Sequence, residues 1–203
     1  MSKGEETKQA ILRRGLDMAS QVGLENVTIG TLAKAMGMSK SGLFAHFQSK
    51  ENLQIEILGY AAEEFSENVV MPALRSATGI ERILILVEKW IDWGSRLTGG
   101  CIFVSAATEF ADRPGKVRDA LKQQQEGWIE SLRRFAASAV KSGDFKQGTD
   151  TRQFAFDLYS LLLGFHYYQR MLGDKQTRKH QNSALERLLE TYRADGAPIS
   201  ERG

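Results

Sequence analysis

Apolar residues recur three and four positions apart along almost the whole chain. No Val/Ile/Thr-rich run alternates with polar residues between hairpin turns, so the pattern predicts an all-α protein of about nine helices. The first runs from about Glu5 to Val22, with Ile11, Leu12, Leu16, Ala19 and Val22 on one stripe and Gly23 as its stop. Two short helices follow, Ile29 to Met36 behind the cap Thr28 and Lys40 to Phe47 behind the cap Ser39, with Gly37 between them. Ser49 caps a fourth that ends near Val70, because Pro72 removes a backbone donor. Further helices are expected near residues 79–97, 102–111, 115–142, 151–172 and 177–193, and the last ten residues read as a frayed tail.

Composition narrows the class. The chain has 203 residues, 42% hydrophobic, and needs no disulfide or metal staple to hold a core. A single cysteine, Cys101, excludes an intramolecular disulfide or a CxxC pair. The longest strongly apolar stretch, Ile83 to Val87, is far short of the ~20 residues of a membrane span. The N-terminus is charged from its third residue, unlike a signal peptide, so a soluble cytoplasmic protein is expected, with no membrane partner. Of the net charge of +2, residues 1–50 carry seven Lys/Arg against four Asp/Glu, or +3, and the remainder carries −1. That excess is too small to argue for nucleic acid by itself; its placement matters more.

The informative segment is TIGTLAKAMGMSKSGLFAHFQSK, residues 28–50. Ile29, Leu32, Ala33 and Met36 face inward on the first short helix. Gly37 follows four residues after the small Ala33, and Leu43 and Phe47 anchor the second helix. This is the spacing of a helix-turn-helix, whose second helix enters the major groove of DNA N-terminus first. The base-facing candidates are therefore Ser39, Lys40, Ser41 and Gly42, while Thr28 and Lys50 stand at helix N-termini that favour a phosphate. His46 adds a candidate contact from the far end, and Phe44 lies outside the anchoring pair. GMSKSG also matches GxxxxG, but Leu43 and Phe44 stand where a phosphate loop requires Lys and Ser/Thr.

At Val22-Gly23, Thr28, Leu32-Ala33, Gly37 to Lys40, Leu43-Phe44, His46-Phe47 and Ser49 to Leu53, the sequence resembles the TetR family of bacterial transcriptional regulators. The resemblance is close over about residues 5–53, and the segment GGCIFVSAATEFADRPGKVRD is similar to one found in a subset of that family. It implies a helix-turn-helix DNA-binding domain over residues 1–48 and a ligand-binding and dimerisation domain over 49–203. Double-stranded operator DNA, a second copy of the chain and a small-molecule effector are the implied partners. Two departures stand in the DNA-contacting region: Phe44 replaces the usual tyrosine, losing a hydroxyl, and Gly42 replaces the usual threonine.

In the C-terminal region, Leu158, Leu161, Leu162, Phe165, Leu185, Leu188, Leu189 and Tyr192 form stripes that suit a core or a four-helix subunit interface, and the resemblance favours the interface. The helix near 79–97 is apolar nearly all round and is expected to be a central buried helix with a pocket beside it. Trp90, Trp93, Phe103, Phe110 and Trp128 are its aromatic candidates, with Tyr167 and Tyr168, and Cys101, Glu109 and His166 are its polar ones. Cys101, with only Arg96 nearby, reads as buried more than as an activated thiolate. A small helical enzyme is the rival reading, but HExxH, ExxH and GxSxG are absent and the histidines are scattered. A protein-binding adaptor would leave the first fifty residues unexplained. The expectation is a non-enzymatic, ligand-responsive repressor that binds a palindromic operator as a homodimer, with no catalytic residue, cofactor or metal.

Overall fold

The computed structural model describes residues 3–75 and 78–195; the expected tail from residue 196 onward lies outside them. Among the described residues the chain is helical with no strand. Its elements are α1 (Lys3–Val22), α2 (Ile29–Met36), α3 (Lys40–Phe47), α4 (Lys50–Phe65), α5 (Met71–Arg75), α6 (Gly79–Arg96), α7 (Ile102–Phe110), α8 (Lys116–Lys141), α9 (Thr151–Arg170) and α10 (Thr177–Tyr192). Nine of these have eight residues or more, the number the pattern predicts.

Local chemistry sets several boundaries. Thr28, Ser39 and Ser49 each accept a hydrogen bond from a first-turn N–H of the helix they precede, and Asp150 does the same for α9 through Arg152 and Gln153. The expected fourth helix is divided: α4 ends at Phe65, a π-turn covers Ser66–Val70, and Pro72 lies inside the short α5. A proline ring clashes with the carbonyl four residues back, and the wider π-spacing relieves that clash without ending the helical run.

Packing groups the described residues into two compact units, one of residues 3–67 and 92–125 and the other of residues 68–75, 78–91 and 126–195. The first therefore gathers α1–α4 together with α7, which is remote in sequence. Its core includes Ile11, Leu24, Leu32, Leu43, Phe47, Leu53 and Ile57, all essentially inaccessible. The second unit is built on the antiparallel α9–α10 pair, where Phe145, Phe154 and Tyr192 cluster with ring centroids 5.0–5.8 Å apart.

The helix expected to be buried all round is amphipathic. In α6, Ile83, Leu86, Val87, Trp90, Ile91 and Trp93 are buried, Leu84 and Ile85 are half-buried, and Glu81, Glu88, Asp92 and Arg96 are exposed. Those charges recur with helical period and give α6 a solvated stripe that an apolar count passes over.

Candidate nucleic-acid interface

The α2–α3 pair is fixed from beneath and left open above. Ile29, Leu32 and Ala33 of α2 and Leu43 and Phe47 of α3 are buried. Gly37 adopts φ 64°, the left-handed conformation that ends α2, and the Met38 N–H returns to the Ala33 carbonyl at 3.0 Å. Only three residues, Gly37 to Ser39, separate the helices, so α3 begins at once on the Ser39 cap. With Leu43 and Phe47 turned inward, Lys40, Ser41 and Phe44 are exposed, Phe44 at 53%, and Gly42 and His46 are half-buried. The outer face of α3 thus offers an ammonium, a hydroxyl and an exposed ring.

Caps occupy part of this chemistry. Ser39 Oγ accepts from the Gly42 N–H at 3.0 Å and lies 3.3 Å from Ser41 Oγ. A Cβ on residue 42 would stand 3.0 Å from Ser39 Oγ, so glycine here spares the cap as well as reducing bulk on the outer face. Thr28 and Thr31 form a reciprocal box: Thr28 Oγ1 accepts from Thr31 N–H at 3.0 Å, and the Thr28 N–H donates to Thr31 Oγ1 at 2.9 Å. Lys50, the first residue of α4, donates to Glu25 Oε1 at 2.6 Å; Arg113 is 3.8 Å from the other Glu25 oxygen. The Lys50 bond leads the causes that hold the Glu25 carboxyl below its usual range. Because the pair is more than a third exposed, it is worth at most about 1 kcal/mol, and a phosphate can compete for Lys50.

The effector candidates fall into two groups. In the first unit, Trp93 and Phe103 each pack edge-on against Phe65, at 5.7 and 5.8 Å. Cys101 is buried, and burial pushes its thiol pKa up, which opposes thiolate formation. Phe110 lines a cavity of about 310 Å³ with Glu25, Lys50, Gln54 and Arg113. In the second unit, Trp90 stacks edge-on against His166 at 6.4 Å and Trp128 against Tyr159 at 6.5 Å. Desolvation, then the Arg170 charge, lowers the His166 pKa. Glu109, grouped with the pocket candidates by sequence, instead accepts hydrogen bonds from the backbone of Leu24 and Glu25.

The apolar stripes of α9 and α10 are largely enclosed by their own chain. Leu158, Leu162, Phe165, Leu185 and Leu189 are buried, and only Leu161, Leu188 and Tyr192 remain partly open. The Tyr192 hydroxyl donates to Asp157 Oδ2 at 2.6 Å. The open face of α9 lies on the opposite side of the helix from its buried stripe. Phe156 at 67%, Leu163 at 37%, Tyr167 at 55% and Met171 at 72% follow one another at spacings of seven, four and four. Sequence reasoning named only Tyr167 of this set, and as a pocket candidate, because α9 is apolar on two sides and spacing does not say which side the chain covers itself.

A short helix pair with a buried lower face, a left-handed glycine turn and an open second helix defines a helix-turn-helix protein. A family described as "Bacterial regulatory proteins, tetR family" matches residues 11–57, and "Tetracyclin repressor-like, C-terminal domain" matches residues 79–185. The chain belongs to the TetR family of DNA-binding transcriptional regulators, a non-enzymatic family whose members bind operator DNA and small-molecule effectors. It is 19% identical over 144 residues to the "Fatty acid metabolism regulator protein" of Bacillus subtilis, covering 70% of this chain and 72% of that one. A TetR-family regulator from Cytophaga hutchinsonii has the same fold, with a TM-score of 0.85 and 20% identity over 95% of this chain and 98% of that one. AibR, solved in complex with isovaleryl coenzyme A and operator DNA, superposes with a TM-score of 0.70 and 22% identity over 89% of this chain and 96% of that one. No helix among the described residues is long and apolar enough to cross a membrane.

Proposed function

We propose that this regulator is a ligand-responsive repressor that binds a palindromic operator as a homodimer. The observation that carries the reading is the open outer face of α3, where Lys40, Ser41 and Phe44 project from a helix anchored by Leu43 and Phe47. Ser39, Lys40, Ser41 and Gly42 approach base edges, and Thr28 and Lys50 approach phosphates at the starts of α2 and α4. Phe44 makes an apolar contact, and His46 reaches the backbone from the far end of α3.

A second copy covers the open face of α9, through Phe156, Leu163, Tyr167 and Met171. Four large exposed apolar residues on one stripe support this, since such patches mark association surfaces. A two-fold pair of α3 helices then addresses two half-sites roughly 34 Å apart. The effector enters the region from residue 49 onward, with Trp93, Cys101, Phe103 and Phe110 as its candidates in the first unit and Trp90, Trp128 and His166 in the second, and an apolar body suits either group. AibR, with its acyl thioester, and the fatty acid regulator make a carboxylic-acid-derived effector the first class to assay. Binding shifts the run from Ser49 to Val70, changes the spacing of the α3 helices and lowers operator affinity. A coupling of about 1–3 kcal/mol changes that affinity about 5- to 150-fold.

Selection of bound duplexes from a random DNA pool, followed by sequencing, tests the reading. A recovered palindrome is expected. Absence of any enriched sequence at low salt would refute sequence-specific binding through α3.

A further inference from the structure

The turn between α1 and α2 is held by a residue remote in sequence. Leu24 N–H donates to Glu109 Oε1 at 3.2 Å and Glu25 N–H donates to Glu109 Oε2 at 2.8 Å, so both carboxylate oxygens of one α7 side chain are engaged. On its other side, the buried Gln54 amide of α4 donates to the Leu24 carbonyl at 2.8 Å. Gly23 makes the approach possible. Its φ is 87°, and a Cβ there would stand 2.9 Å from Glu109 Oε1, so a side chain at residue 23 would strain the backbone and displace the carboxylate. At the other end of α7, the preceding loop is also tied to α1, through the Gly99 N–H and Ser20 Oγ at 3.3 Å.

The held turn leads directly into the DNA-facing chemistry. Thr28, which caps α2, follows three residues after Glu25, and the Glu25 side chain holds Lys50. Moving the backbone at residues 24–25 therefore moves both phosphate-facing candidates together. Hydrogen bonds from backbone N–H groups to a carboxylate are among the stronger ones, and two from one side chain fix orientation as well as distance.

We propose that Glu109 is a positioning residue for DNA binding: its carboxylate holds the turn before α2 in the arrangement that DNA binding uses, and loss of that contact lowers DNA affinity. The inference rests on the DNA-binding reading above. With the contact broken, the turn samples other conformations, and apparent affinity falls by the fraction of molecules that keep the binding-competent one.

The test uses the full chain, the duplex recovered by selection with wild type, and a temperature well below unfolding. Glu109→Gln keeps one acceptor oxygen and presents an NH2 group to the second N–H. It is expected to stay folded by circular dichroism, to speed hydrogen exchange at the Leu24 and Glu25 amides, and to weaken duplex binding about tenfold or more. Glu109→Ala is expected to bind more weakly still. Gly23→Ala, which leaves the carboxylate but pushes it away, should lose affinity in the same direction, and the pair of changes should be less than additive. Unchanged duplex affinity in a folded Glu109→Gln protein, with faster exchange at both amides, would overturn the proposal and leave Glu109 as a stabilising contact alone. If Glu109→Ala does not fold, Glu109→Gln and Gly23→Ala carry the test. A wild type that binds no duplex would overturn the DNA reading itself, an outcome separate from variants that bind as wild type does.

Discussion

The α2–α3 pair and the α9–α10 pair are both two-helix units stabilised by buried leucine and phenylalanine, yet they differ in what they leave outside. On α3 one apolar stripe, Leu43 and Phe47, is buried, and the remaining face carries Lys40 and Ser41 with the single exposed ring of Phe44. On α9 the chain buries Phe154, Leu158, Leu162 and Phe165 and still leaves Phe156, Leu163, Tyr167 and Met171 open. A helix with one apolar stripe declares its inner side, and its outer side is read by elimination. A helix with two apolar sides needs two partners, and spacing alone does not say which is the chain itself.

The contrast is sharpest under deletion of buried volume. Phe47→Ala is expected to destabilise the first unit by about 3–5 kcal/mol, because a fully buried phenylalanine leaves a cavity under α3; thermal unfolding and loss of duplex binding together measure it. The open side of α9 should respond in the opposite manner. Replacing Phe156 and Met171 together by serine should leave the stability of each chain nearly unchanged while weakening the dimer about tenfold or more, as read by sedimentation equilibrium. Unaltered association would place the subunit contact elsewhere.

Smaller changes probe local chemistry in each pair. Gly37→Ala has open space for its methyl group, so its expected effect, about 1–2 kcal/mol, is conformational and comes from holding an L-residue at φ 64°. Lys40→Ala should weaken DNA binding roughly five- to tenfold and, if the contact is to phosphate, make the salt dependence shallower by about one unit of slope. In the second unit, burial and then the bond to Asp157 push the Tyr192 pKa up to about 12 from 10.0. The raised value favours the neutral hydroxyl in the folded chain. Its contribution is therefore complete below pH 10 and lost as pH rises towards 12. Tyr192→Phe should flatten that alkaline loss in denaturant titrations.

Much of the α2–α3 pair was legible because its signals are local. The bounds of α2 and α3 agree with the expectation from Thr28, Gly37 and Ser39, where cap and stop lie within a few residues of the helix they govern. The 3-10 turn at Leu24–Asn26 was not legible, since its N–H groups are satisfied by a carboxylate 84 and 85 residues away. Nor was the pairing of Lys50 with Glu25, 25 residues apart, which engages that ammonium with a carboxylate of the preceding turn.

By itself the amino-acid sequence determined the helical class, the cap-to-stop limits of the short helices, the inward pair Leu43 and Phe47, and through them the open outer side of α3. All of these follow from 3.6-residue periodicity and from hydrogen bonds between near neighbours. Only the tertiary structure decided that Glu109 holds the turn before α2, that α7 packs with the N-terminal helices, and which apolar side of α9 stays open. Each depends on segments distant along the chain meeting in space, and residue spacing within one helix carries no information about that meeting.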